Sequence, residues 1–304
     1  MIIKKTIKFM ALRKFFYVVA VVLMIGSIAS LAVKQLNLGL DFTGGALVEL
    51  NYDEPADLES IRQTLQAAGW TDAVVQNFGA STDVIIRLAS DDPNLGSEIA
   101  RLIQREDAGE VTVKRVEFIG PQVGEELRDQ GGMGMLLALG GILLYVSLRF
   151  QMKFAAAAIA AIFHDVIFVL GFFAFFGLSF DLTVLAALLA VIGYSLNDTI
   201  VVFDRVRENL RLMRTADLEE VINVSTTQTL ARTLATSFST ILVLLALFYF
   251  GGENIHGFAI ALLVGVLVGT YSSIFVSNGL LMTFRLTRED LIPPQIEETV
   301  DDRP

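Results

Sequence analysis

Apolar residues gather into six long runs along the chain: Phe15–Val33, Gly132–Leu148, Phe154–Phe176, Leu182–Phe203, Leu234–Phe250 and Phe258–Phe284. A helix of roughly 17–25 apolar residues crosses a hydrocarbon core of about 30 Å, so each run predicts a membrane-spanning helix. The last is long enough to tilt. The first follows Lys4, Lys5, Lys8, Arg13 and Lys14, and Ser30-Leu31-Ala32 offers a small-residue cleavage pattern. Its apolar stretch exceeds the roughly 7–15 residues of a signal peptide, and the chain spans again later, so it reads as an uncleaved anchor.

Between the first two runs the period changes. Ala46–Tyr52 alternates apolar and polar, as a half-buried strand does, until Asp53-Glu54-Pro55. Leu58, Ile61, Leu65 and Ala68 then recur at helical spacing before Gly69. Ala73–Phe78 and Thr82–Leu88 predict two strands across a Gly79-Ala80 turn; Asp92-Pro93-Asn94 opens a helix to about Arg105, and Val111–Ile119 alternates again. Strand, helix, strand, strand, helix, strand is the split pattern of a ferredoxin-like α+β domain. The predicted plan is residues 1–36 as N-terminus and first span, 37–130 as that domain, 131–285 as spans two to six, and 286–304 as a tail.

Lys and Arg set the orientation. Arg149 and Lys153 lie between spans two and three; Arg205, Arg207, Arg211 and Arg214 follow span four; Arg285 and Arg288 follow span six. Gly177–Asp181 and Gly251–His256 contain neither residue type. The alternate connections agree, predicting cytoplasmic termini and a small extracytoplasmic domain. Composition fits: 54% of the residues are hydrophobic and 18% charged. The net charge of −10 lies mostly between Asn37 and Gln130, an acidic surface that does not favour nucleic acid or anionic lipid. With no cysteine and only His164 and His256, disulfides, thiol chemistry and histidine-rich metal sites are excluded.

Polar residues inside the spans carry the functional signal, because a charge at mid-bilayer costs roughly 3 kcal/mol or more. His164-Asp165 lies about ten residues into span three, roughly 15 Å deep at the helical rise. Asn197-Asp198 precedes Asp204 in span four by about six residues, roughly 9 Å. Ser225–Thr233 forms a helix running into span five, which places Arg232 at the boundary. Spans four and five should be antiparallel, so Asp198 and Arg232 share a depth. A carboxylate whose contact with a guanidinium alternates with desolvation is a proton switch; a fixed pair would instead set helix packing. Asp165 either joins such a relay or hydrogen-bonds its histidine or a neighbouring helix. Asp204, with Arg205 and Arg207, reads as an end anchor. Ala261, Gly265, Gly269 and Ser272 or Ser273 line one face of span six, with Gly132, Gly140 and Gly141 less regular in span two; both predict close packing, within the bundle before between subunits.

Five segments together resemble the SecF family of preprotein translocase subunits, which work with SecD in an assembly like those of the RND superfamily. They are Leu40–Gly45 (LDFTGG), Gly120–Leu127 (GPQVGEEL), His164-Asp165, Gly193–Asn209 (GYSLNDTIVVFDRVREN) and Thr229–Ser237 (TLARTLATS), and the resemblance covers about Ile7 to Arg285. Its motif positions are Asp41, Gly44, Gly45, Gly120, Pro121, Gly124, Asp204 and Arg205. The resemblance implies a non-enzymatic subunit of the bacterial inner membrane. It implies SecD, the SecYEG channel, YajC and the translocating preprotein as partners, and protons rather than a cofactor as coupling agent. It puts Asp198 and Arg232 on the proton route, with Asn197, Asp165 and His164 beside them. Two alternatives stay open: half of an RND-type exporter of small molecules or lipids, and a structural partner of SecD that conducts no protons. An intramembrane enzyme lacks a catalytic dyad.

Overall fold

A computed structural model describes residues 6–78, 80–106 and 111–291. Lys4, Lys5, Gly79 of the expected turn and the tail beyond Leu291 lie outside the described residues. After a 3-10 turn at Phe9–Leu12, the elements are α1 (Arg13–Lys34), β1 (Asn37–Leu38), α2 (Leu40–Thr43), β2 (Gly45–Tyr52), α3 (Leu58–Ala67), β3 (Val74–Phe78), β4 (Ala80–Leu88), α4 (Leu95–Glu106) and β5 (Val111–Ile119). The chain continues through α5 (Pro121–Arg149), α6 (Met152–Phe176), β6 (Ser179–Phe180), α7 (Leu182–Leu212), α8 (Leu218–Phe250) and α9 (Glu253–Tyr271). A π-helical turn, Ser272–Val276, joins α9 to α10 (Ser277–Thr283).

Among the described residues, six helices are long and apolar enough to span a membrane: Phe9–Lys34, Pro121–Arg149, Met152–Phe176, Leu182–Leu212, Leu218–Phe250 and Ile255–Thr283. The chain is a multi-pass membrane protein. Several helices outrun the apolar segments that announce them. Span two already starts at Pro121, suited to a first helical position by its fixed φ and missing N–H, so residue 130 falls inside α5.

Residues 37–136 and 179–185 form one compact unit; 1–36, 137–178 and 186–304 form the other. In the first, β2, β3, β4 and β5 make an antiparallel sheet in the order β3-β4-β2-β5. This is the ferredoxin-like topology. Val48, Leu50, Ile61, Leu65, Val84, Ile86, Ile99 and Ile103 form its core, alternate strand residues meeting the apolar stripes of α3 and α4. Asp57 caps α3 by accepting from the Glu59 and Ser60 amides. Gly96 lets α4 close on the sheet, since a Cβ there would sit 2.6 Å from Val116 Cγ1. On the opposite face Glu49, although buried, is paired with Arg115 at 3.2 Å.

In the helical unit α1 packs along α6, and α8 along α9. A Cβ on Gly171 would lie 2.3 Å from Ser27 Cβ, so α1 and α6 meet almost backbone to backbone. Gly265 and Gly269 turn toward Val191 and Ser195 of α7, so this glycine pair serves packing within the chain. For span two, the expectation of close packing within the chain is corrected. Among the described residues nothing lies within 4 Å of a Cβ built on Gly132, Gly140 or Gly141, so these positions pack against no neighbour in the chain.

Candidate functional site

The helical repeat decides which polar residues enter the bundle. On α7, Ser195, Asp198 and Thr199 are buried while Gly193 and Asn197 are exposed. On α8, Thr229, Thr233 and Ser237 are buried while Arg232 and Thr236 are exposed. The register of these antiparallel helices is fixed by hydrogen bonds. Tyr194 donates to Ser237 at 3.2 Å, Arg205 to Gln228 at 2.6 Å and Asn209 to Ser225 at 2.8 Å. One turn along α7 from Tyr194 lies Asp198, and one turn back along α8 from Ser237 lies Thr233, so these two stand level.

Asp198 is 3% exposed and Thr233 1%. Among the described residues Asp198 Oδ2 and Thr233 Oγ1 each lack a hydrogen-bond partner, an arrangement that is costly where water is scarce. Arg232 lies close enough for its charge to act on Asp198. Yet no ion pair joins them among the described residues, and the expected closure of Arg232 onto Asp198 is absent. Depth was matched, but helical phase turns Thr233 inward and Arg232 to the exposed flank. Asn197 likewise points away from its neighbour in sequence.

Asp165 is built into a different arrangement. It is 1% exposed. His164 Nδ1 lies 3.0 Å from its Oδ1, while Ser195 and Ser272 hydroxyls donate to its Oδ2, the latter at 2.7 Å. One carboxyl group thereby ties α6 to α7 and to the start of the π turn. His164 Nε2 is buried without a partner, beside the Tyr271 ring at 6.1 Å between centroids. A π turn leaves backbone carbonyls without their usual donors. Here Asn278 Nδ2 bonds Ser273 O at 3.2 Å and Ile274 O at 3.1 Å. The sequence did not announce Ser195 and Asn278, nor the roles of Ser272 and Thr233. Ser195 lies one turn before Asp198 on the same helix face, which is the only signal that pointed to it.

The remaining motif residues lie elsewhere. Asp204 pairs with Arg149 at 2.9 Å and Arg207 at 3.4 Å, while Arg205 engages Glu208 and Gln228. Arg288 donates to Leu210 O, Met213 O and Ala216 O at 3.3, 2.8 and 2.7 Å, satisfying carbonyls around the C-terminal end of α7. Asp41, Gly44, Gly45, Gly120, Pro121 and Gly124 belong to the sheet-bearing unit.

A family model described as "Protein export membrane protein SecD/SecF, C-terminal" matches residues 99–287. The chain belongs to the SecD/SecF family. A second model, "SecD/SecF GG Motif", matches residues 29–56. Among curated relatives, a protein translocase subunit SecF from Pseudomonas aeruginosa is 59% identical over 98% of each chain. That of Escherichia coli O157:H7 is 40% identical over 99% of this chain and 95% of its own. A crystal structure of SecDF, a translocon-associated membrane protein from Thermus thermophilus, superposes with a TM-score of 0.85 at 36% identity. That match covers 93% of this chain and 39% of the SecDF chain, so this chain spans about two fifths of it.

Proposed function

We propose that this chain is the SecF-type subunit of a protein-export complex and couples inward proton movement to a late stage of preprotein translocation. A SecD-type protein supplies the rest of the assembly, consistent with the chain's matching about two fifths of a SecDF polypeptide. The SecYEG channel, YajC and the preprotein are its further partners. It sits in the inner membrane with both termini cytoplasmic and the sheet domain periplasmic, the orientation its Lys and Arg distribution favours.

The observation that carries the proton reading is Asp198: a carboxyl group buried among helices, with one oxygen unpartnered and no salt bridge holding it among the described residues. Such a group is costly as a static ornament and well suited to gaining and losing a proton. Arg232 on the flank sets the field at Asp198 and comes and goes with helix movement, and Asn197 faces whatever packs on that side, here the SecD-type half. Asp165 and His164 form a second acid-base station, one helical turn away through Ser195. Moving one charge through 100 mV supplies about 2.3 kcal/mol to the cycle. The test is proton flux through the reconstituted complex with preprotein present. Asp198→Asn should assemble normally and abolish flux and proton-dependent export; full activity of that variant refutes the reading.

A further inference from the structure

The LDFTGG segment acquires no task from a proton route, yet it is closely packed on several sides. Residues 179–182 converge on it and on the three residues before it, all within the sheet-bearing unit. Asn37 and Leu38 pair in parallel with Ser179 and Phe180, and the Gly39 amide adds a bond to Phe180 O at 2.8 Å. The Leu182 amide, at the first position of α7, donates to Asp41 Oδ2 at 2.9 Å, while Asp181 Oδ1 takes the Val184 amide, also at 2.9 Å. Two carboxylates therefore satisfy orphan donors at the positive end of α7. One of them is local and the other comes from 141 residues away.

Glycines make the approach possible. A Cβ on Gly39 would lie 2.9 Å from Asp181 Cβ, and one on Gly124 would lie 2.8 Å from Gly44 N. Gly44 and Gly45 have φ of +66° and +105°, which a side chain rarely adopts. A Cβ on Gly44 would sit 2.7 Å from Pro121 Cα, and one on Gly45 would sit 2.3 Å from Leu88 O. The segment 39–45 thus touches the start of α7, the start of α5 and the sheet at once, with no space left between backbones.

We infer that residues 37–45 form a rigid coupling between the sheet domain and the N-terminal end of α7, the helix that carries Asp198, and that Asp41 is its positioning residue. The inference rests on the proton reading for the event at Asp198, and assigns the part that passes helix movement to the domain. A coupling of this kind stays closed through the cycle.

The native chain has no cysteine, so the joint can be fastened selectively. Neighbouring strands lie about 4.8 Å apart, within the Cα separation a disulfide accepts. In the full complex with a cysteine-free partner, Asn37→Cys with Ser179→Cys should cross-link on oxidation and export at the uncross-linked rate. Asp41→Ala should assemble and lower proton-driven export by about fivefold, the equivalent of one lost helix cap. Asp41→Asn, which keeps an acceptor oxygen, should retain most activity, and the disulfide in the Asp41→Ala chain should restore it. Loss of export on cross-linking that reductant reverses overturns the inference, because the joint would have to open. Full export by Asp41→Ala overturns it too. If Asp41→Ala does not assemble, the disulfide in the otherwise native chain decides alone. Asp198→Asn measured alongside separates the two ideas: its full activity sinks the proton reading, whereas failure at the joint alone leaves that reading standing.

Discussion

Removing the Thr233 hydroxyl should make the protein more stable and a worse exporter, a combination that packing alone does not produce. Thr233 Oγ1 is buried with no partner, and a buried hydroxyl left unsatisfied costs about 1–3 kcal/mol. Thr233→Val keeps the branched shape and deletes that cost, so unfolding free energy should rise by about 1 kcal/mol, toward the low end because the hydroxyl is small. Thr233 stands level with Asp198, whose Oδ2 is likewise unpartnered. A hydroxyl and a carboxyl oxygen at the same level of α7 and α8 are two groups that a bridging water can link. Losing the hydroxyl should slow proton flux by about tenfold or more, since positioned proton-transfer groups commonly contribute that much. The assay pairs thermal unfolding of the purified complex with flux in proteoliposomes, and Thr233→Ser should behave as wild type in both. Wild-type flux in a stabilised Thr233→Val protein would show that Asp198 is served from elsewhere.

Ser272→Ala removes one of the donors to Asp165 Oδ2 and should destabilise the complex by about 1–2 kcal/mol, as loss of a buried hydrogen bond does; an unchanged melting temperature would mean that Asp165 does not hold the π turn. Asp290 supplies a pH prediction. Burial works against its ionisation, but the Lys153 ammonium and the Thr287 donors outweigh it and hold the carboxyl below its ordinary value of 3.8. Such a group contributes its full stabilisation above that value and loses it as pH falls through the lowered one. Amide exchange at Thr287–Leu291, corrected for intrinsic rates, should therefore stay flat from about pH 7 to pH 5 and quicken only below the ordinary carboxylate range.

The six spans and the order of the sheet domain were legible because each rests on a repeat, a long apolar run or an alternation of period two. Asp198 was legible because an acid among apolar residues is conspicuous. Its relation to Arg232 was read only to the level of depth; the phase that turns Thr233 inward depends on how α8 is rotated against its neighbours, and no local pattern encodes that. Ser195 and Ser272 were placed by the helical repeat but not as donors to Asp165, since serine in a membrane helix is ordinary. The π turn was hidden because Ser272–Val276 is composed like any helix. The extensions of α5 and α7, and the part of α8 before Ser225, escaped the reading, as hydropathy ends where water begins and a helix need not. LDFTGG was legible as a motif and silent as a mechanism, because its contacts lie 80 and 140 residues away in the chain.

Gly171 against Ser27 has a practical corollary for anyone engineering this protein. A generic hydrophobic segment grafted in place of Arg13–Lys34 would still tether the chain to the bilayer, but its side chains would hold it away from α6. The Lys34 ammonium would also be lost from Phe175 O, which it reaches at 2.7 Å. The first helix is thus a shaped wall of the machine, and swapping it should be planned as core surgery rather than as a change of leader.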